Sequence, residues 1–103
     1  MDHLAAIRVT FFQECEEQLA ALESGLLAMQ SGDQSQDTVN AVFRAVHSVK
    51  GGAGAFKLTD LVSFAHTFET LLDKIRSGSC EADADTIKLL LRAADTLADL
   101  VSS

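Results

Sequence analysis

The chain has 103 residues, no proline and a formal net charge of −7. That length fits one domain around one core, enough for folding to bury somewhat over ~60% of the extended chain's surface. The acidic balance excludes nucleic acid, whose phosphates need a basic face, and argues equally against an anionic membrane surface.

Apolar residues make up 48% of the chain, with leucine and alanine dominant. Few stretches alternate with period two, so helices rather than a sheet are expected. No apolar run reaches the ~18 residues a membrane span needs. Met1-Asp2-His3 lacks the basic start of a signal peptide. Cys15 and Cys80 are too few for a disulfide framework and predict reduced thiols in a cytoplasmic protein.

The first predicted helix runs from Leu4 to Met29, with Phe12, Cys15, Leu19, Leu22, Leu26 and Met29 as its inward seam. Ser31-Gly32-Asp33 stops it. The second starts at Asp37 or Thr38, either able to cap, and runs to Gly54 with Val39, Val42, Val46, Val49 and Ala53 inward. The third is expected from a Thr59 cap to Arg76, seamed by Leu61, Ala65, Phe68, Leu72 and Ile75, and Ser77-Gly78-Ser79 stops it. The fourth starts at Asp83 or Asp85 and reaches Val101, with Ile87, Leu90, Leu91, Ala94, Leu97 and Val101 inward. Four amphipathic helices on short connections predict an all-α, antiparallel up-down four-helix bundle, read as a single domain over residues 1–103.

The most informative run is His47-Ser48-Val49-Lys50-Gly51-Gly52-Ala53-Gly54-Ala55-Phe56. On a helix, His47, Lys50, Gly51 and Gly54 share one stripe. It carries a nucleophile-capable imidazole, a cation one turn away, and then bare backbone. Between Thr38 and Thr59 there is no Asp or Glu, only Arg44, Lys50 and Lys57, so this segment carries +3 and the remainder −10. An anion or an acidic partner surface is drawn to it. Position alone equally fits a surface histidine without a task. Glycine inside a helix costs up to ~1 kcal/mol relative to alanine. Gly51, Gly52 and Gly54 therefore mean either a helix that frays at Gly51 or a backbone that a partner approaches closely, and continuation to Phe56 favours the second.

The third predicted helix holds His66 and Glu69 on one face. Counted from the connection between Ala55 and Leu58, His47 lies about ten residues back and Glu69 about twelve forward, depths that match within a turn at ~1.5 Å per residue. Glu69 can then accept the Nδ1–H of His47, leaving the Nε2 lone pair outward. Taken alone, Glu69 is better read as a solvated charge, and His66 either supports the site or covers the core edge. His47, His66 and Glu69 could also hold zinc, but Lys50 and the local positive charge argue against a metal.

The ten-residue run resembles the phosphorylation motif of histidine phosphotransfer (HPt) domains, in particular those of the CheA-type chemotaxis histidine kinases. Phe11-Phe12-Gln13-Glu14-Cys15-Glu16-Glu17-Gln18-Leu19 is similar to the first helix of such domains, and Leu58-Thr59-Asp60-Leu61 through His66, Glu69 and Leu72 to their third. The resemblance implies His47 as the phosphorylated residue, Lys50 as an aid to transfer, Glu69 as the ring's hydrogen-bond partner and His66 as a supporting member. It implies no bound cofactor. ATP and Mg²⁺ come with a separate kinase catalytic domain, in cis or in trans, and the phosphoryl group passes to the aspartate of a CheY- or CheB-like receiver. The expected docking surface is Phe12, Phe43, Arg44, Lys50, Gly51, Gly54 and Lys57. Two positions depart from the family pattern: Ala55 stands where a hydroxyl residue is common, and Lys57 where glycine is. Members also often carry a fifth helix; this sequence stops at Ser103, so that helix is either absent or was trimmed away.

Overall fold

The computed structural model describes residues 3–55 and 57–102 and, of residues 3–5, 8 and 102, the backbone alone. Four helices follow in order: α1 (His3–Gln30), α2 (Gln36–Ala55), α3 (Thr59–Arg76) and α4 (Ala84–Ser102). Each packs on its neighbours in a ring, α1 on α2, α2 on α3, α3 on α4 and α4 on α1, while among the described residues the backbones of the diagonal pairs stay more than 8 Å apart. The result is an antiparallel four-helix bundle measuring 48 × 21 × 20 Å. Among the described residues there is no strand, and no helix is long and apolar enough to cross a membrane.

The seams of α2, α3 and α4 form one core. Val39, Val42, Val46, Val49 and Ala53 meet Leu61, Ala65, Phe68 and Leu72, and Ile87, Leu90, Ala94, Leu97 and Val101 close it. Ile75 and Leu91, expected inside, are only half-buried. On α1 the phase differs from the sequence expectation: Phe11, Cys15, Leu22, Leu26 and Met29 are buried, whereas Phe12 and Leu19 are half-buried. The expected seam took the second phenylalanine of the pair. The structure turns Phe11 towards α2, where a Cβ on Gly52 would fall 2.5 Å from the Phe11 ring. Gly52 is therefore the hole into which Phe11 fits. Cys15 is buried and Cys80 half-buried, both free thiols, and burial with the charge of Glu14 pushes the Cys15 thiol up to about 11.

The helix caps correct the sequence expectation in two places. Ser35, not Asp37 or Thr38, caps α2. Its hydroxyl accepts the Thr38 N–H at 3.3 Å and its carbonyl the Val39 N–H at 3.1 Å. Thr38 instead donates its hydroxyl to Asp33 Oδ2 at 2.7 Å, tying the loop to the helix. Leu58, not Thr59, occupies the α3 cap position and supplies no side-chain bond. Asp83 caps α4 as expected, accepting the Thr86 N–H at 2.8 Å.

Three helix ends close in the same way. After α1, α2 and α3, the residue that turns the chain has positive φ: Gly32 at 112°, Lys57 at 58° and Gly78 at 84°. In each case paired backbone bonds close the turn. At α2 the Leu58 N–H reaches the Ala53 carbonyl and the Lys57 N–H the Gly54 carbonyl, both at 3.1 Å. Lys57 thus occupies the left-handed position where glycine costs least, which is the physical content of the family's preference for glycine there.

Candidate functional site

Helix α2 has a valine-rich inner face, and its opposite edge carries His47, Lys50, Gly51 and Gly54. The helix continues through all three glycines to Ala55, so the chain does not fray at Gly51. Phe56 lies outside the described residues. The tight connection to α3 holds the two helices antiparallel, and the register brings Glu69 to His47. His47 Nδ1 lies 3.2 Å from Glu69 Oε2. Ionised carboxylates only accept, so Nδ1 carries the proton and the neutral ring keeps its lone pair on Nε2.

The same carboxylate oxygen accepts a second donor, Lys50 Nζ at 3.0 Å. The resemblance implies Lys50 as an aid to transfer. In the structure its ammonium is engaged with Glu69, one turn from the imidazole and within the same cluster. The His47 side chain is 60% exposed, against 23% for Lys50 and 16% for Glu69. The nucleophile-capable ring thus stands in solvent on a covered charged pair. Burial pushes the Glu69 carboxyl up, but hydrogen bonds from Lys50 and His47 together with the positive charge of Lys50 outweigh it. They hold the group below the usual carboxylate range. Glu69 is therefore an anion at neutral pH, able to balance positive charge that develops on the ring.

Phe43, one turn before His47, stacks on it with ring centroids 6.2 Å apart and planes 8° from parallel. Arg76, in the last turn of α3, lays its guanidinium carbon 4.0 Å from the Phe43 centroid. From the sequence, Arg76 is placed only as the end of the third helix and not at the site. The signal was the register itself: four residues back from His47 is Phe43, four on from Glu69 is Asp73, and Arg76 follows by less than a turn.

The other named residues divide by position. Gly51 and Gly54 are exposed, and among the described residues a Cβ at either would meet nothing within 4 Å, so no packing between described residues explains them. Arg44 is exposed on α2, its Nε donating to the Asn40 carbonyl at 3.3 Å. Lys57 and His66 border a shallow, mainly apolar depression with Gly54, Thr59, Val62 and Ser63. Among the described residues the His66 side chain makes no hydrogen bond to Glu69 or His47. Phe12 lies elsewhere: it lines a groove between α1 and α4 with Leu19, Leu91 and Val101, whereas the imidazole cluster sits on α2 and α3.

Residues 6–101 match the Hpt domain family, and the chain belongs to it. Among individual proteins, it is 65% identical over 97 residues to the chemotaxis protein CheA of Rhizobium meliloti (strain 1021), covering 94% of this chain and 13% of that protein. It is 53% identical over 100 residues to CheA of Cereibacter sphaeroides, covering 94% of this chain and 15% of that one. The chain thus spans well under a fifth of the length of these curated relatives. Its fold superposes with TM-score 0.88 and 32% identity on the phosphorylated P1 domain of CheA3 from R. sphaeroides, solved in complex with CheY6, over 94% of this chain and 76% of that one. The CheA phosphotransferase domain from Thermotoga maritima gives TM-score 0.87 and 26% identity, over 99% and 96%.

Proposed function

We propose that this Hpt domain carries phosphoryl groups in a chemotaxis signalling relay, with His47 as the acceptor. The observation that carries the reading is the exposed imidazole whose Nδ1 is held by Glu69. The phosphoryl group comes from ATP, held with Mg²⁺ on a separate kinase catalytic domain, in cis or in trans. It leaves to the aspartate of a CheY- or CheB-like receiver. The neighbour solved with CheY6 supports the receiver partner, and the CheA relatives support a place in chemotaxis.

The chain's own contribution is orientation and charge. Nε2 attacks the γ-phosphorus in line, the N–P bond forms as the bond to the ADP oxygen breaks, and ADP departs. The proton stays on Nδ1, where the Glu69 anion balances the positive charge on the ring. Lys50 sits close enough to exchange part of its bond with Glu69 for one to the arriving phosphoryl oxygens. Positioning and charge neutralisation supply most of such a transfer. The bare backbone at Gly51 and Gly54 lets the partner's active site close over the ring. Docking is modest and transient, as turnover requires.

The test is to incubate the domain with a CheA kinase core and labelled ATP. His47→Gln is expected to abolish acid-labile, base-stable label, and undiminished label in that variant overturns the assignment.

A further inference from the structure

We propose that Arg76 is a positioning residue for the His47 ring, acting through Phe43 and held in turn by Asp73. The proposal rests on the reading of His47 as phosphoryl acceptor.

A single hydrogen bond fixes one atom of an imidazole and leaves its plane free to tilt about that atom. The Nδ1 bond to Glu69, at 3.2 Å, is one such anchor on a ring whose side chain is 60% exposed. The tilt matters because the Nε2 lone pair lies in the ring plane. Rotating the plane swings the lone pair off the line of attack, and misalignment of that kind costs rate steeply.

Phe43 supplies the missing constraint. Its ring lies 8° from parallel with the imidazole at a centroid distance of 6.2 Å, within the range of offset stacking. Phe43 is itself only half-buried, so packing beneath it does not fix it on every side. Arg76 meets it from α3 with the guanidinium carbon 4.0 Å from the ring centroid, a cation–π contact well inside the effective distance. The guanidinium is held in turn: Arg76 Nη2 donates to Asp73 Oδ1. Helix α3 therefore grips the imidazole by two routes. Glu69 holds one ring nitrogen directly, and one turn on, Asp73 and Arg76 hold the plane through Phe43. Arginine suits the second task because its charged group is flat and stacks, whereas an ammonium is a point charge.

The experiment compares wild type, Arg76→Gln, Arg76→Lys and Asp73→Asn. NMR relaxation reads the order parameter of the His47 ring C–H bonds, and phosphorylation by a CheA kinase core gives kcat and KM with the domain as substrate. Arg76→Gln is expected to lower the ring order parameter and to reduce kcat about fivefold at unchanged KM. Asp73→Asn should move both in the same direction, and Arg76→Lys should recover only part of the loss. An Arg76→Gln ring as ordered as wild type overturns the proposal, with or without a fall in melting temperature, because surface packing alone would then explain the contact. A disordered ring with unchanged kcat overturns it too. If wild type accepts no phosphoryl group, the functional reading fails while the ring order still decides whether Arg76 positions His47.

Discussion

Glu69 uses a single oxygen, Oε2, to hold both the His47 ring and the Lys50 ammonium. That sharing sets what its removal does. In Glu69→Ala the Nδ1–H loses its acceptor, so the neutral ring should shift towards the tautomer protonated at Nε2, read from the ring ¹⁵N shifts. Phosphoryl acceptance should fall by on the order of tenfold. Unchanged ¹⁵N shifts would show that the bond does not select the tautomer. The pH dependence has a definite sign. The folded-state pKa of Glu69 is depressed, so its stabilising contribution is fully present above the unfolded value of about 4.5 and is lost as pH falls through the lower folded value. Denaturation of wild type and Glu69→Gln should therefore differ at neutral pH and converge at the acid end. The sequence made the His47–Glu69 pair legible, because backbone register alone brings those two positions together. It did not reveal that Lys50 turns to Glu69, or that Arg76 reaches Phe43. Both depend on where long, many-rotamer side chains settle across a helix interface.

The three glycines of α2 do different work within the one helix. Gly52 faces α1, and a Cβ there would press on Phe11 ring atoms at 2.5 and 2.8 Å. Gly52→Ala should cost about 1–3 kcal/mol through overpacking. Gly51 and Gly54 meet no described residue within 4 Å, so alanine at either should stabilise the helix by ~0.5–1 kcal/mol. On the proposed docking surface the same two substitutions should weaken receiver binding, because the added methyl groups stand where that proposal has the partner's backbone approach. Urea denaturation and receiver titration of the three variants check this together; Gly54→Ala with higher stability and unchanged docking would remove the partner explanation. From sequence, the three read as one cluster with one purpose. What separates them is the phase of α2 against α1, and that was also the point at which Phe12 was taken for Phe11. Helix ends were legible to within a residue or two because Gly32 and Gly78 announce them. The cap of α2 was not, since Ser35, Asp37 and Thr38 are all competent and only the loop geometry chooses.

Across the whole molecule, the bundle followed from its pattern: seams at helical spacing, no proline, and connections too short for anything but antiparallel neighbours. Arg44 and Lys57 remain exposed on or just after α2, while Lys50 is matched locally by Glu69. Receiver docking should therefore weaken as salt rises, chiefly in its association rate, and Lys57→Glu should weaken it further and flatten that dependence. Stopped-flow binding at two ionic strengths reads both effects, and a rate indifferent to salt and to Lys57 would show that apolar contact alone steers the encounter. All of this depends on which ring nitrogen carries phosphorus. The direct measurement is a ³¹P–¹⁵N correlation spectrum of the phosphorylated, ¹⁵N-labelled domain. Coupling to Nε2 of His47, with Nδ1 still protonated, is the predicted result; coupling to Nδ1, or to no nitrogen of His47, would contradict the account.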